Sequence, residues 1–161
     1  MSETRKVRIG IIGAGGFAKT HMEQFFKLDN VEVVAAMRRN GEELTNFQKT
    51  WDIPTGFTNH HEMLDMDSLD AVDIITPTDS HKQIALDAIA AGKHVLCDKP
   101  LALKAGDCKE MLDAAEKAGV IHCTNFNQRG NTMVGRIKRY INDDFIGRIY
   151  HANLWWGMSH Q

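Results

Sequence analysis

Apolar residues along the chain follow two patterns: short continuous runs, and stretches in which they recur at helical spacing. Continuous runs rich in β-branched residues indicate buried strands, whereas recurrence at every third or fourth position indicates helices. The strands predicted in this way span residues 7–13, 32–37, 56–58, 71–76, 94–97, 120–124 and 148–156. Helical spacing follows each of the first six runs, over residues 17–26, 42–50, 62–64, 80–91, 104–119 and 133–141.

Strands that are apolar on both faces, each followed by a helix, are typical of a parallel sheet covered by helices on both sides. Six of the predicted strands precede residue 125. The pattern therefore predicts an α/β fold of the Rossmann type, a doubly wound parallel sheet. In this fold ligands bind at the carboxyl ends of the strands, so the loops there are the ones to search for chemistry.

Composition excludes several classes of function. The 161 residues are 43% apolar and carry a net charge of -2, and no basic face stands out, so nucleic acid is not an expected partner. No apolar run is long enough to cross a bilayer, so we expect no membrane association. Three cysteines without CxxC spacing indicate reduced thiols and a cytoplasmic protein. The eight histidines, including His60 and His61, show no metal-ligand spacing, and we predict no metal.

A glycine-rich turn follows the first predicted strand. Gly13, Gly15 and Ala18 form a GxGxxA arrangement, with Gly16 and Phe17 between the last two. The first glycine allows the tight turn, the second lets the backbone approach a pyrophosphate, and the small Ala18 lets the helix pack on the sheet. The helix N-terminus adds amide donors and partial positive charge. Because the motif joins a strand to a helix, we predict dinucleotide binding, with a plain glycine-rich turn as the alternative.

Two arginines stand where an acid is expected. Dinucleotide sites of this type usually have an acidic residue at the end of the second strand, where it binds the ribose hydroxyls. Here that end carries Arg38 and Arg39. Guanidinium groups pair well with a 2′-phosphate, so we predict NADP as cofactor, with NAD possible. The alternative is that both arginines are solvated loop residues.

Lys99 follows the fifth strand, between Asp98 and Pro100. A lysine at this edge can polarise a substrate oxygen near a nicotinamide and relay the proton that accompanies hydride transfer. Pro100 limits the movement of the backbone, and we expect Asp98 to orient the ammonium. A surface Asp–Lys pair is the alternative interpretation.

Four ordered segments resemble the Gfo/Idh/MocA oxidoreductases, named for glucose–fructose oxidoreductase and inositol dehydrogenase. They are GIIGAGGFA at residues 10–18, TPTDSH at 76–81, AGKHVLCDKPLA at 91–102 and NFNQR at 125–129. The resemblance implies that Lys99 assists hydride transfer and that the Lys99–Pro100 bond is cis. The family has glutamate where this chain has Asp98. In the family a proline usually follows this arginine within a few residues. No proline follows Arg129 within the next few residues here.

The resemblance also implies further cofactor-binding residues. Thr76 and Pro77 would line the nicotinamide side, and Asn127 and Arg129 would lie near the cofactor and the domain junction. His81 matches the family's histidine, although a first-turn histidine satisfied by its own helix is an equal alternative.

Family members continue into a second, mostly antiparallel domain that supplies the substrate pocket. We therefore expect residues 1–124 to form the dinucleotide-binding domain. Residues 125–161 would supply a linker helix and the first strand of a second α+β domain. The resemblance implies an oxidoreductase acting on a sugar or polyol, homo-oligomeric through the second domain. The 161-residue chain alone is expected to bind cofactor without turnover. The alternatives are a dinucleotide-dependent glycoside hydrolase and a non-catalytic dinucleotide-binding protein.

Overall fold

The computed structural model describes residues 5–155 and residue 157. The strands are β1 Val7–Ile12, β2 Val31–Met37, β3 Thr55–Phe57, β4 Ala71–Ile74, β5 His94–Asp98 and β6 His122–Asn125. The α-helices are α1 Ala18–Phe25, α2 Gly41–Trp51, α3 His60–Leu64, α4 Thr78–Ala90, α5 Ala105–Ala118 and α6 Thr132–Asn142, and a 3-10 helix spans Asn127–Gly130. No helix in the described part of the chain is both long enough and apolar enough to span a membrane.

The six strands form one parallel sheet in the order β3-β2-β1-β4-β5-β6. Strand order reverses between β1 and β4, which is where ligands bind in a doubly wound sheet. The predicted Rossmann fold is therefore confirmed. Neighbouring residues of β1 bury opposite faces: Ile11 joins a core with α1 and α2, and Ile12 joins a core with α3, α4 and α5. Both side chains are completely buried, as expected for a strand covered on both sides.

Local capping explains several helix boundaries. The Asn40 side chain accepts a hydrogen bond from the Glu43 amide at 3.0 Å and caps the start of α2. Helix α5 ends at Gly119, which adopts a left-handed conformation with φ 68°. The start of α4 differs from the prediction, because the helix begins at Thr78, directly after Pro77. Strand β4 correspondingly ends at Ile74, two residues earlier than predicted.

Residues 148–155, within the predicted strand over residues 148–156, do not belong to a sheet, and Trp156 lies outside the described residues. Alternating side chains identify a segment that suits a sheet, but a strand also needs a neighbour with which to exchange backbone hydrogen bonds. In the part of the chain that the structure describes, no segment pairs with it.

Two compact units divide the chain, with the boundary between Asn125 and Phe126. The first unit contains the whole sheet and helices α1 to α5. The second contains the 3-10 helix and α6. Apolar residues recur along α6 at the predicted helical spacing, at positions 133, 134, 137, 140 and 141.

Candidate functional site

The turn after β1 is fixed by backbone geometry. Gly13 has φ +100°, and a Cβ added there would lie 2.7 Å from the carbonyl carbon and oxygen of Ile75. The amides of Gly13 and Ala14 both donate to the carbonyl oxygen of Met37, at 3.0 and 3.1 Å. The turn is thereby held against the ends of β2 and β4. Only glycine combines this φ with this close approach of two backbones.

The remaining residues of the turn are placed differently. At Gly15 the nearest atom to an added Cβ is 3.8 Å away, and at Gly16 none lies within 4 Å. At these two positions a side chain would meet no close protein neighbour, so its absence leaves open space. Ala18 is fully buried, as close packing of α1 on the sheet requires. Phe17 is 46% exposed, with its ring centroid 5.4 Å from that of His21.

A cleft of about 660 Å³ opens beside this turn. Its walls come from Gly13 and Gly15, the end of β2, the loop after β4 and the first turns of α4. The volume is in the range of small-molecule and cofactor sites. The backbone at Gly15 borders this cleft, with room that a side chain would fill. These residues fit the pyrophosphate of a dinucleotide.

The two arginines after β2 have different environments. Arg38 donates from Nη1 to the carbonyl oxygen of Ala14 at 2.7 Å, and its Nη2 pairs with Glu43 at 2.5 Å. Arg38 therefore fastens the glycine turn to α2, and its charge is already matched. Arg39 is exposed and has no ion pair among the residues that the structure describes. Both arginines line the cleft, but only Arg39 offers an unmatched guanidinium.

His81 joins the loop after β4 to the loop after β5. It is 1% exposed, and its Nδ1 and Nε2 lie 3.0 Å from the Pro100 carbonyl oxygen and 2.7 Å from the Thr76 carbonyl oxygen. Thr76 and Pro77 line the cleft, whereas His81 does not. Both ring nitrogens of His81 lie within hydrogen-bond distance of backbone carbonyl oxygens, and its predicted role at the cofactor remains a prediction. The Lys99–Pro100 bond in this loop is cis, which confirms the prediction.

Asp98 and Lys99 differ in exposure. Lys99 is exposed, whereas Asp98 is 9% exposed and lies 3.5 Å from the side-chain nitrogen of Asn125. The predicted orienting role of Asp98 toward Lys99 remains a prediction. Lys99 has no ion pair within the described ranges, and its ammonium is available to a ligand at this edge.

A buried polar network of His21, Asp73 and Asn125 lies near Asp98. It was not predicted from the sequence. His21 Nδ1 is 2.7 Å from the Asp73 carboxylate, and His21 Nε2 is 3.2 Å from the amide nitrogen of Asn125. Asp73 is completely buried in β4, and its Oδ1 has no hydrogen-bond partner among the described residues. One sequence signal was present, since Asp73 interrupts an otherwise apolar strand. The position of its partner 52 residues earlier could not be read from spacing.

Burial and charge shift the proton affinities in this network. Burial alone would lower the pKa of His21, but the hydrogen bond to Asp73 and the charges of Asp73 and Asp98 outweigh it, so the pKa is raised. Burial, assisted by the charge of Asp98, raises the pKa of the Asp73 carboxyl, although His21 opposes the shift. The pair therefore holds a proton more tightly than either group would in water. Burial, assisted by both carboxylates, also raises the pKa of Cys97 to about 12, which leaves this thiol protonated and unreactive at neutral pH.

Asn127 and Arg129 lie in the 3-10 helix of the second compact unit. Both residues are exposed within the second unit. Their predicted roles at the cofactor remain predictions.

A doubly wound sheet with a glycine turn and a cleft at its switch point defines a dinucleotide-binding domain. The family described as "Oxidoreductase family, NAD-binding Rossmann fold" matches residues 7–126. The chain therefore belongs to this Gfo/Idh/MocA family, as the sequence motifs imply.

Curated relatives include sugar and polyol dehydrogenases. The chain is 34% identical to the glucose-6-phosphate 3-dehydrogenase of Bacillus subtilis, over 88% of the chain and 40% of that protein. It is 28% identical to the myo-inositol 2-dehydrogenase of Thermotoga maritima, over 88% of the chain and 42% of that protein. The chain thus spans about two fifths of the length of these relatives.

The fold also matches solved structures. One is the scyllo-inositol dehydrogenase of Lactobacillus casei, with bound cofactor NAD(H) and scyllo-inositol. The TM-score is 0.84 at 25% identity, and the match covers 89% of this chain and 43% of that one.

Proposed function

We propose that this chain is the dinucleotide-binding part of an NADP-dependent oxidoreductase acting on a sugar or polyol. The observation that carries the proposal is the cleft at the switch point, bordered by the open backbone at Gly15 and the unmatched guanidinium of Arg39. The dehydrogenase names of the relatives support the reaction class and the substrate class. A bound nicotinamide supplies the acceptor or donor of the hydride.

Different residues of the chain bind the cofactor and transfer the proton. Backbone amides at the start of α1 hold the pyrophosphate, aided by the positive end of the helix, because the amides of Gly13, Ala14 and Gly15 already donate to backbone carbonyl oxygens. Lys99 presents an ammonium at the carboxyl edge of β5. That group can donate a hydrogen bond to a substrate oxygen and accept or return its proton as hydride moves. His81 keeps the Lys99–Pro100 turn in place from within the core.

Replacing Lys99 tests the proposed reaction in the whole protein. Lys99→Ala should lower kcat by about 10²–10⁴, because a positioned acid or base contributes a factor of that size. Dinucleotide affinity should be unchanged, since Lys99 is proposed to act on the substrate. The exposed Lys104→Ala variant, five residues further on, is the matched control. The assay mixes the protein with NADP⁺ and a panel of sugars and polyols and follows the absorbance of reduced nicotinamide.

Full activity in the Lys99→Ala variant would contradict this role. Turnover by wild-type protein with a retained cofactor and no net absorbance change would instead indicate glycoside hydrolysis.

Arg39 is proposed to select NADP. The wild-type chain should bind NADPH more tightly than NADH, because the end of β2 carries Arg38 and Arg39 where an acid would bind the ribose hydroxyls. Arg39→Ala should weaken NADPH binding about tenfold or more, since one charge-assisted hydrogen bond is worth about 1.5–3 kcal/mol. NADH affinity should not change. Titration by nicotinamide fluorescence measures both, and Lys49→Ala, on the exposed side of α2, controls for net charge.

Equal affinity of the wild-type chain for the two cofactors would show that Arg39 is only a solvated loop residue. The NAD(H) named for the inositol dehydrogenase structure makes this a real alternative.

The proposal extends to the domain boundary, the oligomeric state and the location of the whole protein. We propose that residues 1–124 form the dinucleotide domain and that residues 125–161 begin a substrate domain. The division of the chain after Asn125 supports this boundary. We also propose a homo-oligomer formed through the second domain and a cytoplasmic location. Free cysteines at positions 97, 108 and 123 support the location.

A further inference from the structure

Two imidazoles and one carboxylate converge outside the hydride-transfer site. His60 and His61 begin α3, and Asp87 lies in α4. Asp87 Oδ2 is 2.9 Å from His60 Nε2 and 3.8 Å from His61 Nε2. The two rings stand 4.0 Å apart between centroids. One ligand atom from each residue lies within 4.8 Å of the other two, and no ion is present.

The carboxylate of Asp87 is held in place for this arrangement. Gln83 donates from Nε2 to Asp87 Oδ1 at 2.8 Å, which leaves Oδ2 facing the histidines. Within residues 5–155 and 157, the ion pairs of Asp87 are with His60 and His61, and no lysine or arginine neutralises it. The side chains of His60 and Asp87 are only 17% and 19% exposed. A largely buried carboxylate together with two imidazoles is a favourable set of ligands for a cation.

We propose that His60, His61 and Asp87 bind a divalent transition-metal ion of the zinc class. Zinc lies about 2.0–2.2 Å from imidazole nitrogen and carboxylate oxygen, so ligand atoms of a tetrahedral site are about 3.3 Å apart. The observed separations of 2.9 and 3.8 Å lie on either side of that value. Small side-chain rotations are therefore enough to admit the ion. Imidazole ligands favour zinc, cobalt, nickel and copper over magnesium.

The site adjoins the nucleotide cleft. His60 and Gln83 line the same cleft as Arg39. A bound ion would add positive charge to the wall of the cleft, and three protein ligands would leave one coordination position open. No metal was predicted from the sequence, because the two histidines are adjacent and their third ligand is 26 residues further along the chain. Only the packing of α3 against α4 brings the three together.

Calorimetric titration of the chain with Zn²⁺ tests the proposal. All proteins carry Cys123→Ser, which removes an exposed thiol that would compete for zinc. One ion should bind per chain, and Mg²⁺ should not displace it. His61→Gln and Asp87→Asn should each weaken Zn²⁺ binding at least about tenfold. His61 is 62% exposed, so its replacement should not disturb folding. His151→Gln, an exposed histidine elsewhere, should have no effect.

Titration with Co²⁺ identifies the ligand atoms independently. A visible spectrum of tetrahedral cobalt without thiolate charge-transfer absorption, lost in both site variants, would support nitrogen and oxygen ligation. Absence of saturable binding would overturn the proposal. Binding that survives both His61→Gln and Asp87→Asn would also overturn it, because the ion would then lie elsewhere.

Discussion

Replacing Gly15 with alanine is expected to weaken dinucleotide binding at least about tenfold and to leave the free energy of unfolding unchanged. The nearest protein atom to the added methyl is 3.8 Å away, so the folded chain has room for it. The pyrophosphate, however, must approach the backbone at this position. Losing one or two charge-assisted hydrogen bonds of about 1.5–3 kcal/mol each lowers affinity about tenfold to more than a hundredfold. Fluorescence titration with NADPH and urea denaturation measure the two quantities.

Gly13→Ala provides the matched contrast two residues earlier. Here the added methyl would lie 2.7 Å from the backbone of Ile75, and φ is +100°. The strained backbone alone costs about 1–3 kcal/mol, and the steric conflict adds to it. This variant should therefore lose stability first and binding as a consequence. If Gly15→Ala bound NADPH as well as wild type, the cleft beside this turn would not be the pyrophosphate site.

His21→Gln is expected to destabilise the chain by about 3–5 kcal/mol at neutral pH, because it leaves the Asp73 carboxylate buried without its partner. Asp73 is completely buried, and the two side chains are 2.7 Å apart. The double variant with Asp73→Asn should cost less than His21→Gln alone, since it removes the unpaired charge as well. Urea denaturation of the wild type, both single variants and the double variant measures these differences.

The same pair predicts how stability depends on pH. The pKa of His21 is raised above its ordinary value of 6.5 in the folded chain. Its contribution is therefore complete below pH 6.5 and is lost as the pH rises through the folded pKa. The raised pKa of Asp73 acts with the same sign. In His21→Gln, stability should recover as the pH falls, because a buried carboxyl with a raised pKa takes up its proton at a higher pH than it does in the unfolded chain.

A destabilisation below about 1 kcal/mol that does not vary between pH 5 and 9 would contradict both expectations. It would mean that water reaches Asp73 and that the pair contributes little.

Features encoded in neighbouring residues were predictable from the sequence. The spacing of residues 13–18 is enough to predict the glycine turn, and the parallel sheet follows from apolar runs that each precede a helix. Features that depend on distant residues were not predictable. Asp98 lies near Asn125, 27 residues later, and the Asp87 carboxylate meets His60 through helix packing. The segment at 148–155 has the side-chain pattern of a strand but, in the described chain, no neighbour to pair with.

His81 connects the two loops at the carboxyl edge of the sheet. Its ring contacts the carbonyl oxygens of Thr76 and Pro100, one in each loop, from a position shielded from water. A neutral imidazole carries one N–H, so His81 donates to one of the two loops and packs against the other. Replacing His81 would therefore remove the buried side chain that joins the backbone at Thr76 to the backbone beside Lys99.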